Sequence, residues 1–430
     1  GAYKALTDAR DAETGGWRDL EGQAVGPWSG HAENTKGVTC ILFDCFGAPP
    51  WESRRLYTGS WQESCVRCWE LSKGEPGKVL PPPRLIGEIN VGGFVNDIAA
   101  TSAFGMLTAQ SAGMKPQPGE SLRSWNLQDT PLKAPTRASA NAIKAGGDGA
   151  SGPSLAAQET KALAGLERGM STELATPEVC LPEDLDTTEM KIPDFNVTDS
   201  SQMIYLHYRG VRRISLWPPP ELGGGPPHSA ATVSKDMIAL SRISEDGFGL
   251  QSPALWKRAD PHALTDVNAL KHESVGKLWS GDNNGVVKCW DVESSSAREP
   301  LVTVNTTRGQ TTGMAVWGKA GAVVCSSSDG LAFIDGRSGQ EVRQTNTKHP
   351  CGCIGILHED NPIMFAGVGA ELMQYDTRCW KNGLSEKQTA IGQWTLSSKV
   401  TALHCTATRK GNLLIAVGCL DGKVAAFDTT

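Results

Sequence analysis

No run of about 18 apolar residues, the length a membrane-crossing helix needs, occurs anywhere in the sequence, so a membrane-spanning helix is excluded. The stretch from Ala2 to Leu20 lacks both the apolar core of a secretion signal and the Arg-rich, acid-poor pattern of a transit peptide. The chain starts at Gly1 rather than Met, which leaves room for a removed leader. Strong charge of one sign is also missing. A net charge of -6 over 430 residues offers no global attraction to nucleic acid or anionic lipid, and leaves only local basic patches to consider. No nucleophile elbow, no phosphate-cradling loop leading into a helix and no framed pair of carboxylates is found. Gly223-Gly-Gly225 is flanked by prolines and reads as a linker. We therefore assign no catalytic residue and no cofactor, and expect a protein that is not an enzyme.

The twelve cysteines lack the dense spacing of a small secreted scaffold. Most, such as Cys40, Cys289, Cys325 and Cys405, stand inside apolar strand patterns, which predicts reduced, buried thiols in a cytoplasmic, intracellular setting, with nucleus, cilium and mitochondrion left open. Asn196-Val-Thr198 and Asn305-Thr-Thr307 match the glycosylation acceptor pattern, which has no meaning in a reducing compartment. Cys65-x-x-Cys68 invites a zinc reading, but residues three apart on a strand point to opposite faces. Cys351 and Cys353 share a face, with only His349 and His358 close in sequence, so both pairs are read as structural and no metal site is assigned.

What the chain does have is glycine and proline, 48 and 25 residues, too many for a helical protein and suited to short strands joined by turns. It also repeats. The unit is an apolar strand, a second strand ending in small residues, a tight polar turn, and a third strand ending in an aromatic and a polar residue. Its clearest copy has Val267–Leu270, Lys277–Gly281, the turn Asp282–Gly285 and Val286–Val292. Other third strands are Cys65–Leu71, Leu122–Leu127, Leu331–Asp335, Glu371–Asp376 and Val424–Asp428; a divergent copy pairs Met203–Leu206 with Val211–Trp217. That makes seven. Two segments break the rhythm: 128–186, rich in Ala, Gly and Ser with a helix expected over 155–167, and 218–265, a Pro/Gly-rich insertion holding at most one outer strand, Met237–Leu240.

The ending Trp290-Asp291, softened to Trp69-Glu70, Trp125-Asn126, Tyr375-Asp376 and Phe427-Asp428, resembles that of the WD-repeat family, as does the opening Gly30-His31. The resemblance implies an all-β fold: one seven-bladed WD40-type β-propeller. Closure then calls for an N-terminal strand, residues 21–30, to complete a last blade that has three strands of its own. It also implies buried ladders of His, turn Asp, second-strand Ser and Trp. His31, Ser60 and Trp69 would form one, with Glu63 near the place of the missing Asp; Ser280, Asp282, Trp290, Asp329 and Asp421 are the matching positions elsewhere.

WD-repeat proteins resemble rigid discs whose loops hold partners, so the implied role is a scaffold docking other protein subunits of a larger complex. Candidate contacts are Trp61, placed where other blades carry Asp or Asn, and the basic, aromatic cluster with Tyr208, Arg209, Arg212 and Arg213. Trp28, Trp380 and Trp394 are further large apolar side chains near strand ends or loops. Because Arg contacts phosphate and Tyr stacks on bases, RNA contact through Arg209, Arg212 and Arg213 within a ribonucleoprotein is the main alternative, ahead of an enzyme centred on the channel.

Overall fold

A computed structural model describes residues 23–31, 37–44, 55–61, 63–71, 83–111, 122–127, 201–203, 207, 210–220, 226–235, 237–251, 254–263, 265–294, 299–306, 308–317, 322–358, 361–376, 390–407 and 413–428. Strand β1 (Gln23–Ser29) leads the chain. Blade 1 is β2 (Val38–Phe43), β3 (Arg55–Ser60), β4 (Cys65–Glu70) and β5 (Arg84–Asn90); blade 2 is β6 (Phe94–Ala100), β7 (Gly105–Ser111), β8 (Leu122–Asn126) and β9 (Ser201–Met203). Blade 3 holds β10 (Val211–Trp217), β11 (Ser229–Ser234), β12 (Met237–Arg242) and β13 (Trp256–Ala259), and blade 4 holds β14 (Val267–Ser274), β15 (Lys277–Asp282), β16 (Val286–Asp291) and β17 (Val302–Asn305). Blade 5 comprises β18 (Thr311–Trp317), β19 (Ala322–Ser327), β20 (Gly330–Asp335) and β21 (Gln340–Asn346), and blade 6 comprises β22 (Cys351–His358), β23 (Asn361–Val368), β24 (Glu371–Asp376) and β25 (Ala390–Thr395). Blade 7 is β26 (Val400–Ala407), β27 (Leu413–Cys419) and β28 (Lys423–Asp428), with β1 as its fourth strand. The fold is a seven-bladed β-propeller, with no α-helix among the described residues.

Strand composition follows from burial on both faces. Each blade packs against two neighbours, so alternate residues of one strand enter different cores: Leu56 lies between blades 7 and 1 and Tyr57 between 1 and 2, while Val323 lies between 4 and 5 and Val324 between 5 and 6. Seven hydrophobic clusters result, one per junction. This is why cysteines stand among Val and Ala in these strands: Cys40, Cys289, Cys325 and Cys405 are buried free thiols that fill apolar space.

A β-bulge falls at the same place in every inner strand. The register slips between Val38 and Cys40, Val95 and Asp97, Val211 and Arg213, Val267 and Ala269, Thr311 and Gly313, Cys351 and Cys353, and Val400 and Ala402. The bulged residues Thr39, Asn96, Thr312 and Thr401 each donate to a carbonyl at the start of the next inner strand, on Val95 (2.6 Å), Val211 (2.6 Å), Cys351 (2.5 Å) and Val38 (2.6 Å). At Gly352 no side chain fits, because a Cβ would stand 2.6 Å from the Val400 carbonyl oxygen. The chain seam is closed twice over. Strand β1 pairs with β28, and the Gly422 carbonyl, in a turn whose φ of 80° suits glycine, accepts from the amides of Gly30 and His31 at 3.0 Å each.

Two expectations are corrected here. Residues 218–265 are no insertion: they hold β11, β12 and β13, and Met237–Leu240 belongs to the third strand of blade 3 instead of an outer one. Correspondingly, Val211–Trp217 is an inner strand, and Met203 ends the outer strand of blade 2. The misreading has a physical cause. Leu216-Trp217 imitates a third-strand ending, while β12 carries Ser241 where blades 1, 2 and 4 carry Trp69, Trp125 and Trp290. Residues 128–186, with the helix expected over 155–167, lie outside the described residues, as do 21 and 22 of the closing segment.

Thr401→Val keeps the shape of the seam and removes its side-chain donor. Chemical denaturation should show a loss of about 1 to 2 kcal/mol, with an unchanged midpoint counting against the bond between the last and first blades.

Candidate functional site

Side-chain ladders fix the blades from within. In blade 4, Trp290 Nε1 donates to Ser280 Oγ (2.8 Å), His262 Nε2 meets the same oxygen (2.7 Å) and His262 Nδ1 meets Asp282 Oδ2 (3.0 Å). In blade 1 the shared acceptor is Thr58: Trp69 Nε1 donates to its hydroxyl (2.9 Å) and His31 Nε2 lies at 3.0 Å. His31 Nδ1 bonds Glu63, and Arg67 ties that carboxylate (3.2 Å) to the Gly30 carbonyl (2.7 Å) and Glu88 (2.8 Å).

The expectation for Ser60 is therefore corrected. Its buried hydroxyl has no partner, because Thr58, two residues earlier on the same face, occupies the ladder position and Ser60 stands where blade 4 has Asp282. The same two-residue offset affects Asp329 and Asp421. They follow strands β19 and β27 in the turns, where the Asp421 carboxylate accepts the Lys423 amide (3.1 Å) and Asp329 contributes a backbone donor to Ser327 Oγ (3.4 Å). Two ladder histidines had no Gly-His signal. His262 follows Pro261, and His207, after Leu206, bonds Ser234 Oγ (2.8 Å) and Thr232 Oγ1 (2.8 Å) in blade 3.

His31, Glu63 and Cys65 place one possible ligand atom each within 4.8 Å of one another. Both nitrogens of His31 are engaged by Glu63 and Thr58, Arg67 already neutralises Glu63, and burial pushes the Cys65 thiol well above its usual range. That donor set suits a ladder, not a cation. Cys68 packs between blades 1 and 2.

The feature that gathers candidate contact residues is a cavity of about 260 Å³ where the inner strands begin. Five of the seven bulge positions line it, Thr39, Asn96, Arg212, Asn268 and Thr401, and Arg213 and Trp61 complete the wall. Trp61 is held by stacking on Phe94, with ring centroids 4.2 Å apart and planes 17° from parallel. Arg213 Nη1 donates to the Asn96 carbonyl (3.1 Å) and to that of Arg212 (3.2 Å). Beside them Asp97 is half-buried: its oxygens accept the amides of Ile98 (3.0 Å) and Ile214 (2.9 Å), and desolvation raises its carboxyl pKa against the opposing pull of Arg213. Arg212 reaches outward, 3.5 Å from Asp266, a carboxylate that Lys235 shares at 3.7 Å.

Of the residues chosen from sequence, the structure thus brings Trp61, Arg212 and Arg213 to one cavity, while Tyr208 and Arg209 lie outside the described residues. Sequence reasoning missed Thr39, Asn96, Asn268, Thr401 and Phe94. For Thr39, Asn96, Asn268 and Thr401 the signal was a polar residue directly after the Val near the start of an inner strand, available only once the strands were correctly aligned; Phe94 carried no such signal.

Thr58→Val removes the acceptor shared by His31 and Trp69 and should cost about 2 to 3 kcal/mol of unfolding free energy, whereas Ser60→Ala should stay within about 0.5 kcal/mol; equal costs would contradict the ladder assignment. Acid should also weaken the fold. His272, buried with Nδ1 on Ser215 Oγ (3.0 Å), is pushed down to about 3, chiefly by desolvation, and burial lowers His31 and His262 as well. A histidine depressed in the folded state contributes stability that is complete above its unfolded value and lost as pH falls toward its folded one. From pH 7 to pH 5, His272 alone should remove about 2 kcal/mol, with a shallower fall in His272→Gln; a flat profile over that window would contradict this. Among the described residues no helix is long and apolar enough to cross a membrane. Compared with known proteins, the chain matches no family model and no curated sequence.

Proposed function

We propose that this protein is a WD-repeat docking platform, a non-catalytic disc that holds other protein subunits of a multi-subunit assembly against the face carrying the channel mouth. β-Propellers commonly serve as interaction scaffolds, and fold alone does not select among their uses. The observation that carries the reading is the convergence of Trp61, Arg212 and Arg213 on one cavity in a ring whose bulged residues and seam leave little freedom to move. Tryptophan and arginine are the side chains that dominate protein interfaces when preorganised in this way. The WD-repeat identity rests on the His–hydroxyl–Trp ladders of blades 1 and 4. Buried free thiols support an intracellular setting.

The same convergence favours a second reading, an RNA-associated subunit that uses Arg212 and Arg213 with Arg209. An enzyme centred on the channel draws less support, since both oxygens of Asp97 are committed to backbone amides.

Affinity purification of the tagged full chain from its own cells, followed by size-exclusion chromatography with and without ribonuclease, separates these readings. A complex of fixed composition that survives ribonuclease is expected. Its collapse on RNA digestion would favour the ribonucleoprotein, and elution of the chain alone at 45.7 kDa would contradict both.

A further inference from the structure

We infer that the channel-mouth cavity takes the carboxylate side chain of an acidic segment in a protein partner, with Arg212 as the donor and Trp61 as the wall against which the segment lies. This rests on the docking-platform reading and names the chemistry of its partner.

Size comes first. At about 260 Å³ the cavity lies below the range of pockets that enclose a cofactor or drug-sized ligand, and is suited to one side chain entering from a macromolecule docked outside. Its floor is neutral and already satisfied: Thr39, Thr401 and the Asn96 amide are spent on neighbouring carbonyls, and the Asn268 amide donates to Asn283 (2.5 Å). Charge then decides. Asp97 lies alongside with both oxygens bonded to backbone amides, and Arg213 is fastened to backbone carbonyls.

Arg212 differs. Its side chain is 43% exposed, and among the described residues its one ion pair is the 3.5 Å approach to Asp266. Charge-assisted bonds between a guanidinium and a carboxylate close to about 2.7–2.9 Å and are commonly bidentate. The Asp266 contact is longer than that, and Lys235 competes for the same carboxylate. An incoming Glu or Asp can therefore make with Arg212 the close pair that Asp266 does not. Asp266 acts as an internal competitor, weakly holding the place of the ligand. Trp61, fixed by its stack on Phe94, supplies a rigid apolar surface at the edge of the cavity for the methylene groups beside the carboxylate. The site thus gathers its positive charge on two adjacent guanidiniums, Arg213 with donors spent on backbone carbonyls and Arg212 reaching outward, a confined spot that favours an acidic peptide over the repeated phosphates of RNA, whose binding needs an extended basic track.

The test uses the full chain and a fluorescein-labelled peptide, Gly-Ser-Glu-Glu-Glu-Gly-Ser, read by fluorescence anisotropy, with the Gln-for-Glu peptide and a uridine 12-mer as the other probes. The Glu peptide should bind at least tenfold more tightly than the Gln peptide. Arg212→Ala should weaken it about tenfold and Trp61→Ala severalfold, with circular dichroism unchanged. Asp266→Asn should strengthen it two- to fivefold, a gain that misfolding does not produce. Equal binding of the two peptides, or indifference to both Arg212→Ala and Asp266→Asn, overturns the inference, and so does Arg212-dependent binding of the uridine 12-mer in place of the Glu peptide. If a ribonuclease-resistant complex is recovered equally with wild type and Arg212→Ala, the cavity inference fails while the platform reading stands; if wild type yields none, the platform reading fails first.

Discussion

A hydrogen bond passed from one blade to the next, seen at four of the seven junctions, organises this molecule. Every inner strand is bulged near its start, and Thr39, Asn96, Thr312 and Thr401 stand at such bulges and hold a carbonyl at the start of the following inner strand. Apolar packing supplies most of the cohesion between blades, but it is non-directional and tolerates sliding. The donors fix the register. Blade 7 closes onto blade 1 by the same device, so the first and last segments of the described chain meet in one sheet instead of leaving an open edge.

The candidate site is a by-product of that geometry. Because the bulged residues of five blades meet at one cavity, the polar atoms and Arg212 collect around one opening, and a rim held by the blades can present Trp61 and the arginines at little entropic cost. The division of labour among the charges is local. Asp97 and Arg213 are committed to the backbone, and Arg212 is left reaching outward. A binding surface needs that asymmetry, since a fully paired set of charges would be structural and a fully unpaired set would be costly to bury.

Much of the architecture was legible because third strands end in an aromatic followed by a polar residue, as at Trp69-Glu70 and Trp290-Asp291. Where Ser241 replaces the tryptophan that signal is absent, and Leu216-Trp217 of an inner strand imitates the missing ending. The ladders were legible in kind but slipped by one pleat: on a strand, residues two apart share a face, so sequence alone does not choose between Thr58 and Ser60. The site was legible residue by residue, since Trp61, Arg212 and Arg213 stood out for their chemistry. Their meeting was not, because it depends on blades 1 and 3 sharing a channel, a relation set by ring closure.

Native-state hydrogen exchange measured strand by strand tests this account most directly. If the ring is one cooperative body locked at the seam, the β1 and β28 amides will exchange with the same free energy as those of β14 and β18 on the far side. Exchange of β1 and β28 at a much lower free energy, with the other blades still protected, would contradict it.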